Sequence, residues 1–180
     1  MTRSTIEPEF DLKRLSDFDA SFWSDRFYRV SLNDLSVEIK EEKFIRPLYK
    51  TYSLDLIKQE IAEADLAIVA EEGEGLSGIA TVKYEEWNNR AHLTGIYVAP
   101  ESKGKGLGHS LIETAIDYAK SKSARCMFVE TQNINYPAIC FYRKMNFEFC
   151  GFDTALYNLA DVDSKEIAFY FCKNLSNENS

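Results

Sequence analysis

The sequence predicts a mixed α/β fold in which an antiparallel meander is followed by parallel strands with helices on both faces. Apolar runs at 66–70, 77–84 and 90–98 are separated by turn-forming residues, which favours the meander. A glycine-rich loop, a helical apolar stripe and the nearly all-apolar run 126–129 then follow. This strand–helix–strand order places the last strand parallel to the one at 90–98, because parallel neighbours need a crossover connection.

Length and composition indicate one globular domain with an acidic surface. The chain has 180 residues, of which 28% are charged and 45% hydrophobic, and its net charge is −8. We expect residues 1–173 to form the domain and the polar residues 174–180 to be a disordered tail. The charge argues against a nucleic-acid partner and favours a cationic one. No apolar leader or membrane-length apolar run is present, so we expect a cytoplasmic protein that enters no membrane.

The remaining elements follow from local patterns. Two runs on either side of Asn33-Asp34 predict a hairpin, and its second strand is expected to be half-buried through the alternating residues Leu35, Val37 and Ile39. Ser53 can cap a helix, and Asn135-Tyr136-Pro137 opens another, since proline is tolerated in a first helical turn. The last strands are expected at 147–152 and 167–172, whereas residues 1–25 show no clear pattern.

The four cysteines show no metal-ligand spacing, so no metal is expected. Cys126, Cys140 and Cys172 lie in apolar runs, and we expect them to be buried free thiols of a reducing compartment.

The stretch 95–112 organises the predicted function. It reads as a strand end, a loop with glycines at alternate positions, and the first turn of a helix. The bare N–H groups of Gly104, Gly106 and Gly108 can close around an anion at a helix N-terminus, where the helix dipole also favours negative charge. Lys103 and Lys105 add positive charge. The loop therefore predicts a pyrophosphate site, although a surface turn that only caps a helix explains the glycines alone equally well.

Two common phosphate-binding loops do not fit this stretch. A Walker loop closes with Gly-Lys-Ser/Thr, whereas His109 follows Gly108 here. A dinucleotide fingerprint needs a glycine three residues after the second, which this spacing lacks.

These residues carry a resemblance to a known family. The loop 103–108, Lys-Gly-Lys-Gly-Leu-Gly, is similar to the Arg/Gln-x-x-Gly-x-Gly/Ala loop of the GNAT superfamily of acetyl-CoA-dependent N-acetyltransferases, with lysine in place of Arg/Gln. The stretch 129–142, with Glu-Thr-Gln, Asn and Pro-Ala before its last tyrosine, and the following Gly151-Phe152-Asp153 resemble streptothricin acetyltransferases more closely. The resemblance covers most of the chain and is strongest from about residue 91.

The resemblance implies a GNAT-type fold with splayed parallel strands and acetyl-CoA as cosubstrate. The strand end would bind the pantetheine arm, the loop its pyrophosphate, and a backbone N–H near Val98 would stabilise the oxyanion. Asn135 would contact the arm, and helix capping explains it equally well. The implied cofactor-binding residues are Ile96, Tyr97, Val98, Lys103, Gly104, Lys105, Gly106, Leu107, Gly108, His109, Asn135 and Tyr142.

Two residues are candidates for proton transfer. Tyr142 matches the general acid of the family, since a phenol with a pKa near 10 can protonate a leaving thiolate; on residues alone it reads as a core aromatic. Many relatives carry a glutamate base where this chain has Thr94, which cannot accept the proton. Glu130, at the end of the neighbouring strand, is the base we favour. The alternatives are Asp153, Glu85, Glu86 and ordered water, while His92 reads as structural.

The acidic, aromatic composition suits a bulky polycationic acceptor. Glu85, Glu86 and Trp87 combine carboxylates with an indole that offers cation–π contact, although an exposed turn explains them too. Glu130 and Asp153 complete the candidate acceptor residues. The resemblance implies acetylation of streptothricin on its β-lysine amine, which inactivates the antibiotic. Another amine (aminoglycoside, polyamine or protein N-terminus) and a non-catalytic acyl-CoA-binding module remain alternatives, and a homodimer remains open.

Overall fold

The computed structural model describes residues 2–5, 12–72, 75–157 and 166–176, with side chains described from residue 12 onward. The chain divides into two compact units. The first takes the described residues of Met1–Ser21, Thr51–Val129 and Lys173–Ser180, and the second those of Phe22–Lys50 and Glu130–Cys172. No helix in these ranges is long and apolar enough to cross a membrane.

In chain order the elements are β1 (Thr2–Thr5), β2 (Ser21–Asn33), β3 (Ser36–Thr51), α1 (Leu54–Glu63), β4 (Leu66–Glu72), β5 (Gly75–Glu85), β6 (Arg90–Val98), α2 (Leu107–Ser121), β7 (Cys126–Gln132), α3 (Tyr136–Lys144), β8 (Glu148–Asp153) and β9 (Ala168–Asn174). This order confirms the mixed α/β prediction. Strand β1 falls in the N-terminal stretch that the sequence pattern left unassigned.

The first unit contains the predicted meander and the predicted parallel strand. Its strand order is β1-β4-β5-β6-β7, with β4, β5 and β6 antiparallel to one another. Strand β7 joins β6 in parallel, with Arg90 opposite Cys126 and Leu93 opposite Val129. Of the turn-forming residues expected between the runs 66–70 and 77–84, residues 73 and 74 lie outside the described part of the chain.

Helices cover both faces of the meander. Gly78 and Ile79 are successive residues of β5 and therefore point to opposite faces. A Cβ on Gly78 would lie 2.9 Å from Leu111 of α2, so this face packs against α2. Ile79 belongs instead to the buried cluster around Ile57 of α1. The predicted stripe of α2 is buried as a whole: Leu107, Leu111, Ile112, Ala115, Ile116 and Ala119.

The second unit contains the hairpin β2–β3, helix α3 and the antiparallel pair β8–β9. Asp34 makes the hairpin turn with φ of 55°. Asn133 joins three segments of this unit. Its amide donates to the Tyr28 carbonyl at 2.8 Å and its side-chain oxygen accepts from the Ile167 N–H at 2.9 Å. These bonds explain why an asparagine, 2% exposed, follows the strand end.

Three sequence expectations are corrected. The expected alternation at Leu35, Val37 and Ile39 is not half-buried throughout: Leu35 lies in the turn before β3 and is 93% exposed, Val37 is 49% exposed, and Ile39 is intermediate. Cys140 and Cys172 are half-buried rather than buried, although all four cysteines are free thiols. The tail expected at 174–180 is wrong for its first residues, since Asn174 ends β9 and the Leu175 N–H donates to the Arg125 carbonyl. Residues 177–180 lie outside the described part of the chain.

Candidate active site

The glycine loop of the first unit has the backbone of an anion cradle. Gly104 and Gly106 have φ of 76° and 83°, which glycine adopts without strain. Gly106 is the N-cap of α2, and its carbonyl accepts from the Ser110 N–H at 3.1 Å. The N–H groups of the first helical turn point out of the helix end, where its dipole is positive. Gly108 lies within that first turn, not in the loop itself.

The space beside Gly104 and Gly106 is open. A Cβ built on Gly104 or Gly106 would meet nothing within 4 Å. Elsewhere in the unit glycine serves close packing: a Cβ on Gly95 would lie 2.4 Å from a carboxylate oxygen of Glu60. The loop glycines therefore provide conformation and open space, whereas Gly95 provides room for a neighbour.

The charged side chains of the loop already have partners. The Lys103 ammonium donates to the Ser21 carbonyl at 2.6 Å, and burial lowers its pKa. The Lys105 ammonium lies 3.9 Å from Glu72, with both side chains about half exposed. His109 contacts Glu113 at 2.9 Å one turn along α2. The backbone N–H groups and the helix dipole are therefore the features of this loop that could attract an anion without giving up an existing side-chain contact.

Strand β6 extends beyond its ladder with β7. That ladder ends at Leu93 opposite Val129, while β6 continues to Val98. The predicted pantetheine-binding residues 96–98 therefore lie outside the parallel ladder, as a splay requires. The Tyr97 hydroxyl donates to Glu60 at 2.9 Å, so its ring is fixed toward α1. Thr94 donates its hydroxyl to Thr81 at 2.8 Å and offers no base.

Glu85, Glu86 and Trp87 lie at the opposite end of β6 from the glycine loop. The strand has nine residues, so roughly 26 Å separates its ends. Although burial acts to raise it, hydrogen bonds from Asn88 and Arg90 hold the pKa of Glu85 below its ordinary value. Trp87 is 84% exposed, and Glu86 is exposed beside it. The structure does not bring this cluster together with the cradle.

His92 belongs to the same end of β6. Its ring packs edge-on against Phe128 at 5.2 Å between centroids, and its Nδ1 lies 3.6 Å from Glu85. Burial lowers its pKa, which favours the neutral imidazole. These contacts agree with a structural role.

In the second unit, α3 carries Asn135 at its start and Tyr142 near its end. The Asn135 side chain accepts from the Ala138 N–H at 3.2 Å, so the residue is the N-cap of α3. Tyr142 is 4% exposed and its ring packs beside Phe147 and Phe171. Asn135 is therefore a helix cap and Tyr142 a core aromatic. Both roles are compatible with a further role of the Asn135 amide and the Tyr142 hydroxyl.

Glu130 lies in a polar cluster of the second unit. Its Oε1 accepts a hydrogen bond from the Tyr157 hydroxyl. Nearby, the Lys50 ammonium contacts both oxygens of Glu166, at 2.7 and 2.6 Å. Burial raises the pKa of the Glu130 carboxyl; the Tyr157 hydrogen bond and the Lys50 charge act against this, and the Glu166 charge adds to it. A carboxylate with a raised pKa is suited to accept a proton near neutral pH.

Asp153 adjoins this cluster through Tyr170. The pKa of the Tyr170 phenol is raised by burial and then by the charges of Asp153 and Glu130. Sequence reasoning singled out Glu130 and Asp153 but missed Lys50, Tyr157, Glu166 and Tyr170. Tyr157 and Glu166 lie outside any periodic pattern, so no sequence signal pointed to them.

Comparison with known proteins decides the family. The model of the "Acetyltransferase (GNAT) family" matches residues 25–147. This chain belongs to the GNAT family. A streptothricin acetyltransferase from Streptomyces lavendulae is 32% identical to this GNAT acetyltransferase over 154 residues, which are 82% of each chain.

Two crystal structures show the same fold as this GNAT enzyme. The first is a nourseothricin acetyltransferase with a TM-score of 0.84 and 31% identity, covering 96% of this chain and 97% of that one. The second, from Bacillus anthracis str. Ames, is provisionally called a streptothricin acetyltransferase and is in complex with acetyl coenzyme A. Its TM-score is 0.79 at 28% identity, covering 96% of this chain and 98% of that one.

Proposed function

We propose that this enzyme transfers the acetyl group of acetyl-CoA to a primary amine of a cationic antibiotic, the β-lysine moiety of streptothricin, and so confers resistance. The observation that carries the proposal is the similarity, over 82% of both chains, to a streptothricin acetyltransferase. Residues 1–173 act as one acetyltransferase domain in this proposal, since the family match at 25–147 includes residues of both units.

The glycine loop binds the pyrophosphate of acetyl-CoA through backbone N–H groups. The positive φ of Gly104 and Gly106, the open space above them and the N-terminus of α2 support this assignment. Residues 96–98 pair with the pantetheine arm as an added strand would, since they lie outside the parallel ladder. Asn135 contacts the arm in addition to capping α3.

The reaction needs a neutral amine, a stabilised oxyanion and a protonated leaving group. Glu130 takes one proton from the acceptor ammonium, and the amine nitrogen attacks the thioester carbonyl. A backbone N–H at Val98 stabilises the developing oxyanion, a contribution worth a few kcal/mol in known enzymes. The carbonyl then re-forms as the C–S bond breaks, and the Tyr142 hydroxyl gives its proton to the thiolate of coenzyme A. The acetylated nitrogen releases its second proton, which restores the Tyr142 phenol.

Carboxylates recognise the cationic acceptor. We assign this role to Glu130 and Asp153 in preference to Glu85, because Glu85 already binds Arg90 at 2.7 Å. Glu86 and Trp87 remain candidates for a remote part of a bulky acceptor. Acetylation removes one positive charge from the antibiotic, which would weaken its electrostatic attraction to RNA phosphates.

A thiol-release assay tests the proposal. The purified enzyme is given acetyl-CoA with streptothricin, an aminoglycoside, a polyamine or a peptide with a free N-terminus. We expect the highest kcat/KM with streptothricin and a product that is heavier by one acetyl group. Faster turnover of another amine would make that amine the acceptor and leave the acetyl transfer from acetyl-CoA unchanged. Binding of coenzyme A without turnover of any amine would favour the non-catalytic alternative.

A further inference from the structure

The base that we assign to this enzyme is itself held by a second side chain. Tyr157 follows β8, and its hydroxyl donates to Oε1 of Glu130 within the second unit. A carboxylate that accepts a proton must present a lone pair in a fixed direction. A hydrogen bond to one carboxylate oxygen fixes the orientation of the other oxygen.

We propose that Tyr157 is a positioning residue for the acetyl transfer: its hydroxyl fixes the Glu130 carboxylate so that Oε2 takes the proton of the acceptor ammonium. The inference rests on the proposed function, because it assumes that Glu130 is the base. Tyr157 itself contacts neither the thioester nor the attacking nitrogen in this proposal.

Every charged group that the structure places around Glu130 bears on its protonation. Lys50 comes from β3, Glu166 precedes β9, and Tyr170 lies on β9 with Asp153 of β8 beside it. The Lys50–Glu166 pair is nearly neutral as a unit, and its Glu166 side chain is only 6% exposed. The Lys50 charge lowers the pKa of Glu130, but its ammonium is bonded to Glu166, so the Tyr157 hydroxyl is the hydrogen-bond donor to the Glu130 carboxylate among the described contacts.

The proposal predicts both the direction and the size of the change in the Glu130 pKa when the Tyr157 hydroxyl is removed. A hydroxyl that donates to a carboxylate stabilises its charged form, so the loss of this hydroxyl raises the pKa of Glu130. A hydrogen bond to a charged group corresponds to a shift of roughly one to two pH units. The acidic limb of the kcat/KM profile should therefore move up by roughly one to two pH units in Tyr157→Phe. At a pH below both limbs, kcat/KM should fall roughly 10- to 100-fold.

The matched control is Tyr136→Phe. Tyr136 also donates a phenolic hydroxyl to a carboxylate of the second unit, since it contacts Glu41 at 3.2 Å. This variant removes the same kind of hydrogen bond away from Glu130, and we expect its acidic limb to coincide with that of the wild type. If both variants shift the limb equally, or neither does, the positioning role is wrong.

A second readout separates this inference from the proposed function. The pKa of Glu130 is measured without turnover by NMR titration of carboxyl-labelled glutamate, with Glu130→Gln for assignment. An upward shift in Tyr157→Phe supports the inference, and an unchanged pKa overturns it. A shifted NMR pKa with an unmoved kinetic limb would retain Tyr157 as the partner that sets the charge of Glu130 but remove Glu130 as the base. In the Glu130→Gln background, Tyr157→Phe should leave the residual kcat/KM unchanged; a further loss would contradict the inference.

Discussion

Replacing Gly106 by valine tests the cradle at its N-cap. The residue has φ of 83° and ψ of −1°, and an L-residue in left-handed backbone costs roughly 1–2 kcal/mol. For a chain of this size we expect the melting temperature to fall by about 2–8 °C. A Cβ at this position meets no protein atom within 4 Å. Any loss of acetyl-CoA affinity that the backbone strain does not explain therefore indicates that the ligand occupies that space.

The expected loss of affinity follows from the bonds that the valine displaces. A hydrogen bond from a backbone N–H to a charged phosphate is worth roughly 1.5–3 kcal/mol. Losing one such bond should weaken acetyl-CoA binding about 10- to 150-fold. Isothermal titration calorimetry at a temperature well below both melting points measures this loss directly.

Ser123→Val is the control for strain. Ser123 is also left-handed, with φ of 56°, and lies beyond the opposite end of the 15-residue helix α2. About 22 Å of helix separates it from Gly106. Ser123 is already an L-residue in left-handed backbone, so we expect a smaller loss of stability, caused by the β-branched side chain, with unchanged affinity for acetyl-CoA. Wild-type affinity in Gly106→Val, or an equal loss in Ser123→Val, would refute the anion-binding role of the loop.

Three further predictions concern the proton transfers and the core. Tyr142→Phe should lower kcat by roughly 10²-fold or more with little change in coenzyme A affinity; an unaltered kcat in steady-state assays would remove Tyr142 from the mechanism. Burial raises the pKa of Glu130 above its ordinary value of 4.5. The folded state therefore binds the extra proton between the two pKa values, and stability falls as the pH rises through that window. Urea unfolding from pH 4 to 8 should show this decline relative to Glu130→Gln, and parallel curves would contradict it. Leu111→Ala removes a fully buried side chain that packs on Gly78 and should cost about 2–5 kcal/mol; a loss below about 1 kcal/mol in denaturant unfolding would contradict the packing described for α2.

The sequence predicts most of the fold because its signals are local. The stripe of α2 has helical spacing, the caps Ser53 and Asn135 have the expected residue types, and both side chains accept the N–H bonds that this role requires. The hairpin strand β3 shows the limit of such reasoning. Alternation gives the period of a strand, but it cannot say whether anything covers the apolar face, and Val37 of β3 is 49% exposed.

The residues of the candidate site also divide into those that the sequence predicts and those that only the fold reveals. Gly104 and Gly106 are predictable because a positive φ next to a helix start is a backbone requirement that glycine meets. The partner of Lys103 is not predictable, since only the fold shows that its ammonium binds the Ser21 carbonyl. Tyr157 and Glu166 reach the Glu130 cluster through tertiary contacts between segments distant in sequence, which no spacing rule encodes.

A competition experiment between amines tests directly whether streptothricin is the acceptor. Limiting acetyl-CoA is given to the enzyme with equimolar streptothricin, an aminoglycoside and a polyamine, so that the product ratio equals the ratio of kcat/KM values. Mass spectrometry identifies the acetylated compound and NMR locates the acetyl group. We expect the acetyl group chiefly on the β-lysine amine of streptothricin. An acetyl group chiefly on another compound, on another amine of streptothricin, or on none would contradict it.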